Sequence, residues 1–361
     1  MGRRTKLRDI VGALKDKASI SKAALLSKPN TTALHLAVLR ATTHEPSSPP
    51  HEKHIAAVLA FGHSSRPTAS LCIITLMDRL QNTHNSSVAL KCLITVHNII
   101  RRGTFILQDQ LSIYPSSGGR NYLNLSNFRD YANSETWELS SWVRWYARVL
   151  EQLIFTCRIL GGFFLSSSTL GVGEKDVSEE EEEKVSSLLN GDLIKEIDAF
   201  VGAVEEMCKA PDPVHAQSNK LVYEVMKLIA DDYQSAQKEI TLRIYELRER
   251  LSSLSFGESV ELVCVLRRME NCKERLSLQF LNNKTTAAEL LWGLIREVKD
   301  RIGTTKDSEA GVRPETVERR LMVSESARLG ERVLRSGDSV RFSSGRLELN
   351  RVSKTILESV V

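Results

Sequence analysis

The sequence predicts an all-α protein, and three observations carry the prediction. Apolar residues recur at helical spacing along successive segments of the 361-residue chain. Pro, Gly, Ser and Asn collect between those segments, where helices start and stop. With 42% hydrophobic and 26% charged residues, the composition is that of a globular chain long enough to bury a sizeable core.

The elements follow in order. Leu7, Ile10, Val11 and Leu14 fall at i, i+3, i+4 and i+7, an apolar stripe on a helix whose other face is basic. From Arg3 to Lys28 eight cations face two acids, so this end is a local positive patch. A short helix over 32–43 is stopped by Pro46, Pro49 and Pro50, because proline lacks the N–H donor and clashes with the preceding turn. Periodicity then predicts helices over 52–63, 67–82, 86–103, 104–112 and 138–164, with Gly118-Gly119 in the loop before the last. Gly161-Gly162 reads as a helix stop. Ser, Gly and acid, including five consecutive Glu from Glu179 to Glu183, predict a loop or weak helix start. Helices are expected again over 186–208, 214–233, 235–254 and 257–281, and a short one over 286–301. Beyond it, periodicity fades into a tail expected to be mostly disordered. No fixed-period repeat is visible, yet each amphipathic helix must cover its apolar face against a neighbour.

Several function classes are disfavoured. A formal net charge of +4 is too small to argue for wholesale nucleic-acid binding. There is no run of eighteen apolar residues for a membrane span and no secretory signal core. Met1-Gly2 resembles the start of a myristoylation signal, but Lys6 stands where that signal needs Ser or Thr. The six cysteines are widely spaced at helical apolar positions; they read as core residues in a reducing compartment, not as a disulfide or zinc framework. No glycine-rich phosphate loop, nucleophile elbow or Cys/His signature is present, so no catalysis and no cofactor is expected.

Arg40 to His54 is the densest candidate for chemistry. It places Arg40, His51, Lys53 and His54 around a turn between two helices. Arg40 can fork onto a phosphate, Lys53 supplies a point charge, and the histidines donate hydrogen bonds that strengthen on protonation. The next helix adds free N–H groups at its amino end. From composition alone, the same residues describe a solvated, proline-rich loop more readily than a site. A metal site on His44, His51 and His54 is disfavoured, since His51 and His54 are one residue too close for the zinc-protease spacing and Lys53 lies between them. The first helix likewise has two readings, packing on the core or shallow insertion into a bilayer through Leu7, Ile10, Val11 and Leu14 while Lys15, Lys17 and Lys22 meet anionic headgroups. Trp137, Trp142, Trp145 and Tyr146, beside Arg144 and Arg148, could stack on bases but at helical spacing read as core.

Four stretches together resemble the ANTH domain of clathrin-assembly proteins, especially the plant members of that family. They are Val38 to His44, Ala89 to His97, Tyr122 to Asp130 and Trp142 to Leu150, in the family's order, and the similarity runs through the helices ending near 281, roughly three quarters of the chain. The resemblance implies a right-handed helical solenoid followed by a longer helical bundle and a flexible C-terminal tail. It divides the chain into a solenoid with its lipid site over 1–164, an acidic and Ser/Gly loop over 165–186, a second helical part over 187–283, a short helix over 284–301 and a disordered tail over 302–361. It also implies a non-enzymatic, peripheral adaptor binding phosphoinositide membranes, with clathrin and a vesicle SNARE helix as partners. Coated pits, coated vesicles and the Golgi, on the cytoplasmic side, would be its locations.

In the family's lipid pattern, a Lys is followed after nine residues by Lys, any residue, Lys or Arg, and His or Tyr. Arg40, His51, Lys53 and His54 take those places. Ten residues, not nine, separate Arg40 from His51, and His51 replaces a Lys, which implies weaker or more pH-dependent binding. From Ile302 to Val361 there is no Asp-Leu-Leu, Asn-Pro-Phe, Asp-Pro-Phe or acidic clathrin box, so clathrin is the partner with least support in the residues. The competing reading is a helical-repeat scaffold for proteins without specific lipid recognition.

Overall fold

A computed structural model describes residues 2–26, 29–46, 48–115, 118, 121–162, 182–212, 219–279 and 286–309. Among the described residues the elements are helical, with no strand. In chain order they are α1 (Gly2–Leu26), α2 (Pro29–Ala41), α3 (Glu52–Leu59, continued by a 3-10 turn Ala60–His63), α4 (Arg66–Asn82), α5 (Ser86–Arg102) and α6 (Phe105–Ser112). Then come α7 (Ser134–Ile159), α8 (Asn190–Met207), α9 (Lys220–Glu249), α10 (Phe256–Gln279) and α11 (Thr286–Glu309). They belong to one compact unit, Met1–Glu309.

The stack is built around α5. Asn85 caps it by accepting from the backbone N–H groups of Ser87 and Val88, and every residue from Ser86 to Ile100 is buried. It packs against α4, α7 and α9. Fully burying each Leu or Ile contributes about 1.5–3 kcal/mol, so this helix dominates the first half. Two of its buried polar side chains bond to their own helix, Thr95 Oγ1 donating to Lys91 O and Asn98 Nδ2 to Ile94 O, while the buried Ser86 hydroxyl meets no partner among the described residues. His97, wholly buried, joins three helices, with Nδ1 2.7 Å from the Tyr146 hydroxyl on α7 and Nε2 2.6 Å from Asp232 Oδ2 on α9. In the second half α8 is central and packs on α7, α9 and α10, while α11 covers α9 and α10.

Several boundaries differ from the sequence expectation. The helices expected over 214–233 and 235–254 are continuous over Lys220–Glu249, with 214–218 outside the described residues. Ser235 is no breaker, because its hydroxyl bonds back to Asp231 O while Ala236, Ile240 and Ile244 carry the buried stripe onward. α7 begins four residues early, at a capping box between Asn133 and Thr136, and ends before Gly161, whose φ of +68° suits glycine. The last helix continues to Glu309, so 302–309 are not tail; 310–361 lie outside the described residues. Within the expected acidic loop, 182–186 form a helical turn and 165–181 lie outside them. Five cysteines are buried as expected, but Cys264 is exposed, since Leu262, Val265, Leu266 and Met269 take the inner face of α10.

Candidate functional site

The segment singled out in the sequence forms the corner between α2 and α3, and three distant residues hold it from beneath. Arg79 of α4 donates through Nε to Thr42 Oγ1 (2.6 Å) and through Nη2 to Thr42 O (2.7 Å), closing the carboxyl end of α2. Lys91 of α5, 1% exposed, donates to Thr43 Oγ1 (3.0 Å) and Glu45 O (2.8 Å). Burial pushes its pKa down to about 8, against the opposing charges of Glu45 and Asp16. Asp16 of α1 accepts from the His44 backbone N–H at 2.7 Å and lies 2.6 Å from His44 Nδ1. Burial alone would raise the Asp16 carboxyl; the bonds from His44 and the charges of His44 and Arg79 outweigh it and leave the pKa below its ordinary value.

Above this base the chain turns through its prolines and enters α3 at His51, the N-cap, whose side chain makes no capping bond. The His54 N–H turns back to His51 O at 2.8 Å, and no side chain of the N-cap takes the N–H groups of Glu52 and Lys53, which can meet another acceptor. Arg40 closes the last turn of α2, and Arg40, His51 and Lys53 are exposed while His54 is half-buried. The His51 and His54 rings meet edge-on with centroids 6.3 Å apart. Burial, then the charges of Lys53, His51 and Arg40, hold the His54 pKa below its ordinary value, so the four groups share one neighbourhood. The acid among them is withdrawn: Arg102, at the end of α5, takes Glu52 in a forked pair at 2.7 and 3.2 Å. Arg40 and Lys53 form no ion pair among the described residues. The arrangement is a cationic corner with spare donors, suited to a multiply charged anion.

The remaining candidates sit around α1. Lys15, Lys17 and Lys22 are exposed, and Lys15 and Lys22 border a groove of about 720 Å³ between α1, α2 and α4. Ile10 and Leu14 are each 60% exposed and Val11 is 41% exposed, so the stripe does not pack on the core as one of the two readings expected. The Leu7 side chain lies outside the described residues. His44 turns to Asp16, away from His51 and His54, and among the described residues no group of three potential metal ligands gathers. No helix is long and apolar enough to cross a membrane among them. Trp142, Trp145 and Tyr146 are core, as expected, but Trp137 is 49% exposed because it lies in the first turn of α7, outside the packed stripe.

Sequence reasoning missed the supports Asp16, Arg79, Lys91 and Arg102. For Lys91 a signal existed, a lone cation inside the apolar run Ala89 to Ile94. The others come from separate helices and leave no local pattern.

A family model for the ANTH domain matches residues 33–287, well over half of the chain. The chain belongs to the ANTH-domain family. Its helical stack is the ANTH all-α solenoid; the match runs from within α2 to the start of α11, and the whole of α1 precedes it. Among similar proteins from Arabidopsis thaliana, "Putative clathrin assembly protein At4g40080" is 49% identical over 353 residues, covering 96% of this chain and 95% of that protein. "Putative clathrin assembly protein At5g10410" is 33% identical over 298 residues, 80% of this chain and 84% of the relative. "Putative clathrin assembly protein At5g65370" is 31% identical over 313 residues, 82% and 99% respectively.

Proposed function

We propose that this ANTH-domain chain is a non-enzymatic, peripheral membrane adaptor that grips phosphoinositide headgroups at the α2–α3 corner. It would act on the cytoplasmic face of membranes where clathrin coats assemble, in coated pits and vesicles and in Golgi-linked budding. The observation that carries the reading is the convergence of Arg40, His51, Lys53 and His54 at the open amino end of α3, with Glu52 drawn away by Arg102. Arg40 forks onto one phosphate, Lys53 neutralises a second, and the α3 N–H groups fill remaining lone pairs. Lys15, Lys17 and Lys22 add general attraction, and Ile10, Val11 and Leu14, with Leu7, enter the outer acyl region. The clathrin part rests on what the relatives are called, and the missing tail motifs place membrane docking ahead of direct clathrin recruitment.

Cosedimentation with phosphatidylcholine–phosphatidylserine vesicles, with and without phosphatidylinositol bisphosphate, tests the site. Each cation at an anionic surface is worth about 1 kcal/mol, so Arg40→Ala with Lys53→Ala weakens binding roughly thirtyfold. Equal binding by variant and parent overturns the assignment. Because the free His54 pKa lies below its ordinary value and nearby phosphates raise it, binding takes up a proton. Affinity should therefore grow from about pH 7.5 to about 5.5, and His54→Gln should flatten that rise.

A second reading, protein binding by the later helices, has its own observation. Between α9, the turn at 182–186 and the start of α11 lies a groove of about 960 Å³. Tyr245 and Leu290, each more than half exposed, line it, with Glu182, Glu183, Glu246 and Glu249 around them. Its chemistry fits an amphipathic helix with a basic flank, such as a vesicle SNARE segment. Fluorescence anisotropy with a labelled SNARE helix would decide: binding unchanged by Tyr245→Ala with Leu290→Ala removes this reading.

A further inference from the structure

Trp137 departs from the other three aromatics of its group, and its surroundings give that departure a use. Its ring pairs with Tyr131, centroids 5.2 Å apart, and Tyr131 is 79% exposed. The Arg129 guanidinium lies 6.0 Å from the Trp137 ring centre. Arg129 donates to the carbonyls of Ser126 and Phe128, and Arg144 donates to Phe128 O. Neither arginine meets a carboxylate among the described residues, so the Arg129 charge stands uncompensated beside the Trp137 ring, and Arg144, bonded to the same Phe128 carbonyl, adds a second uncompensated charge next to Arg129. Amphipathic aromatics flanked by uncancelled cations suit the water–hydrocarbon boundary of an anionic membrane, where the ring is half in each phase.

Position points to the same surface as the α2–α3 corner. Asp130, next to Tyr131, pairs with Arg8 of α1 at 2.7 Å and accepts from the Ser86 N–H that opens α5. A crevice of about 180 Å³ is lined jointly by His44 and Pro46 of the corner and by Asn133 and Thr136 at the start of α7. The aromatic pair thus lies at the end of the stack that carries α1 and the corner.

We propose that Tyr131 and Trp137, with Arg129 and Arg144, form an aromatic anchor that seats in the headgroup layer of the membrane held by the Arg40–His54 corner. The inference rests on the membrane reading above, and adds a second point of contact that fixes how the domain stands on the bilayer. A single-stranded nucleic acid would also accept stacked rings and arginines, but the shared end with the corner favours lipid.

The test uses the full chain and bisphosphate-containing anionic vesicles. Tyr131→Ala with Trp137→Ala should bind about tenfold more weakly, with only a small fall in melting temperature because Tyr131 is 79% and Trp137 49% exposed. Brominated acyl chains should quench part of the parent's tryptophan emission, and Trp137→Phe should lose that part. Binding equal to the parent, or no quenching assigned to Trp137, overturns the anchor. So does a double variant that loses a single-stranded RNA oligonucleotide while keeping the vesicles. If Arg40→Ala with Lys53→Ala binds like the parent while the aromatic variant does not, the corner is wrong and the anchor stands. A parent that binds no anionic vesicle overturns both.

Discussion

α5 and α1 are attached to the molecule by opposite means. α5 is buried from Ser86 to Ile100, and Thr95 and His97 find their partners inside the core. α1 turns Ile10 and Leu14 outward and is fastened by charge: Asp16 to His44 and Arg79, Arg8 to Asp130, with Gly12 against His44. Apolar burial scarcely responds to pH or salt, whereas ion pairs respond to both. The stack can therefore stay folded while α1 lets go, as the proposed entry of α1 into a bilayer would require.

The sharpest break of this contrast is His97→Ala in α5. It removes the partner of the Tyr146 hydroxyl and leaves buried Asp232 with only the longer 3.7 Å ion pair to Arg101 Nε, at a cost of about 3–5 kcal/mol. Calorimetry should show a large drop in melting temperature; a drop no greater than that of a surface variant would mean the three-helix junction adds little. Acid comes next. Asp16 and Asp130 both have pKa values held below the ordinary carboxylate range; burial raises each, and the bonds and charges at His44 and Arg79, or at Ser86, Arg8 and Ala132, outweigh it. Their contribution is fully present above the ordinary carboxylate pKa and disappears as pH falls through the depressed values. Hydrogen exchange should show α1 amides losing protection before those of α5 on acidification, and Asp16→Asn should loosen α1 already at neutral pH. Simultaneous loss in both helices would erase the distinction. The smallest effect belongs to Gly12→Ala. The new Cβ would lie 2.8 Å from His44 Cβ, so the contact opens, while alanine restores about 1 kcal/mol of helix propensity. α1 exchange should quicken with the melting temperature nearly unchanged; slower exchange would show that the contact yields without loss.

The fold was legible because its signal is local. Helical periodicity needs only neighbouring residues, and it located α2 to α8 to within a few positions. It failed at Ser235, where a polar residue sits mid-helix by bonding backwards, and at Trp137, where spacing cannot tell the first turn of a helix from its packed middle. The corner was legible for the same reason as the helices: Arg40, His51, Lys53 and His54 lie within fifteen residues. What holds it in shape was not, because Asp16, Arg79, Lys91 and Arg102 arrive from three other helices, and only packing brings them under one loop.

The forked pair between Arg102 and Glu52 has a consequence best put in the language of inheritance. Arg102 is 36% exposed and bonds only to Glu52 and to Asn98 of its own helix among the described residues, yet its loss would return the Glu52 charge to the midst of the cationic corner. A defect arising that way would be relieved by a second change, Glu52→Gln, that by itself does little. The two positions would then show epistasis across fifty residues of chain, and the anion affinity proposed for the corner could be lost or regained in a lineage without a change at Arg40, His51, Lys53 or His54.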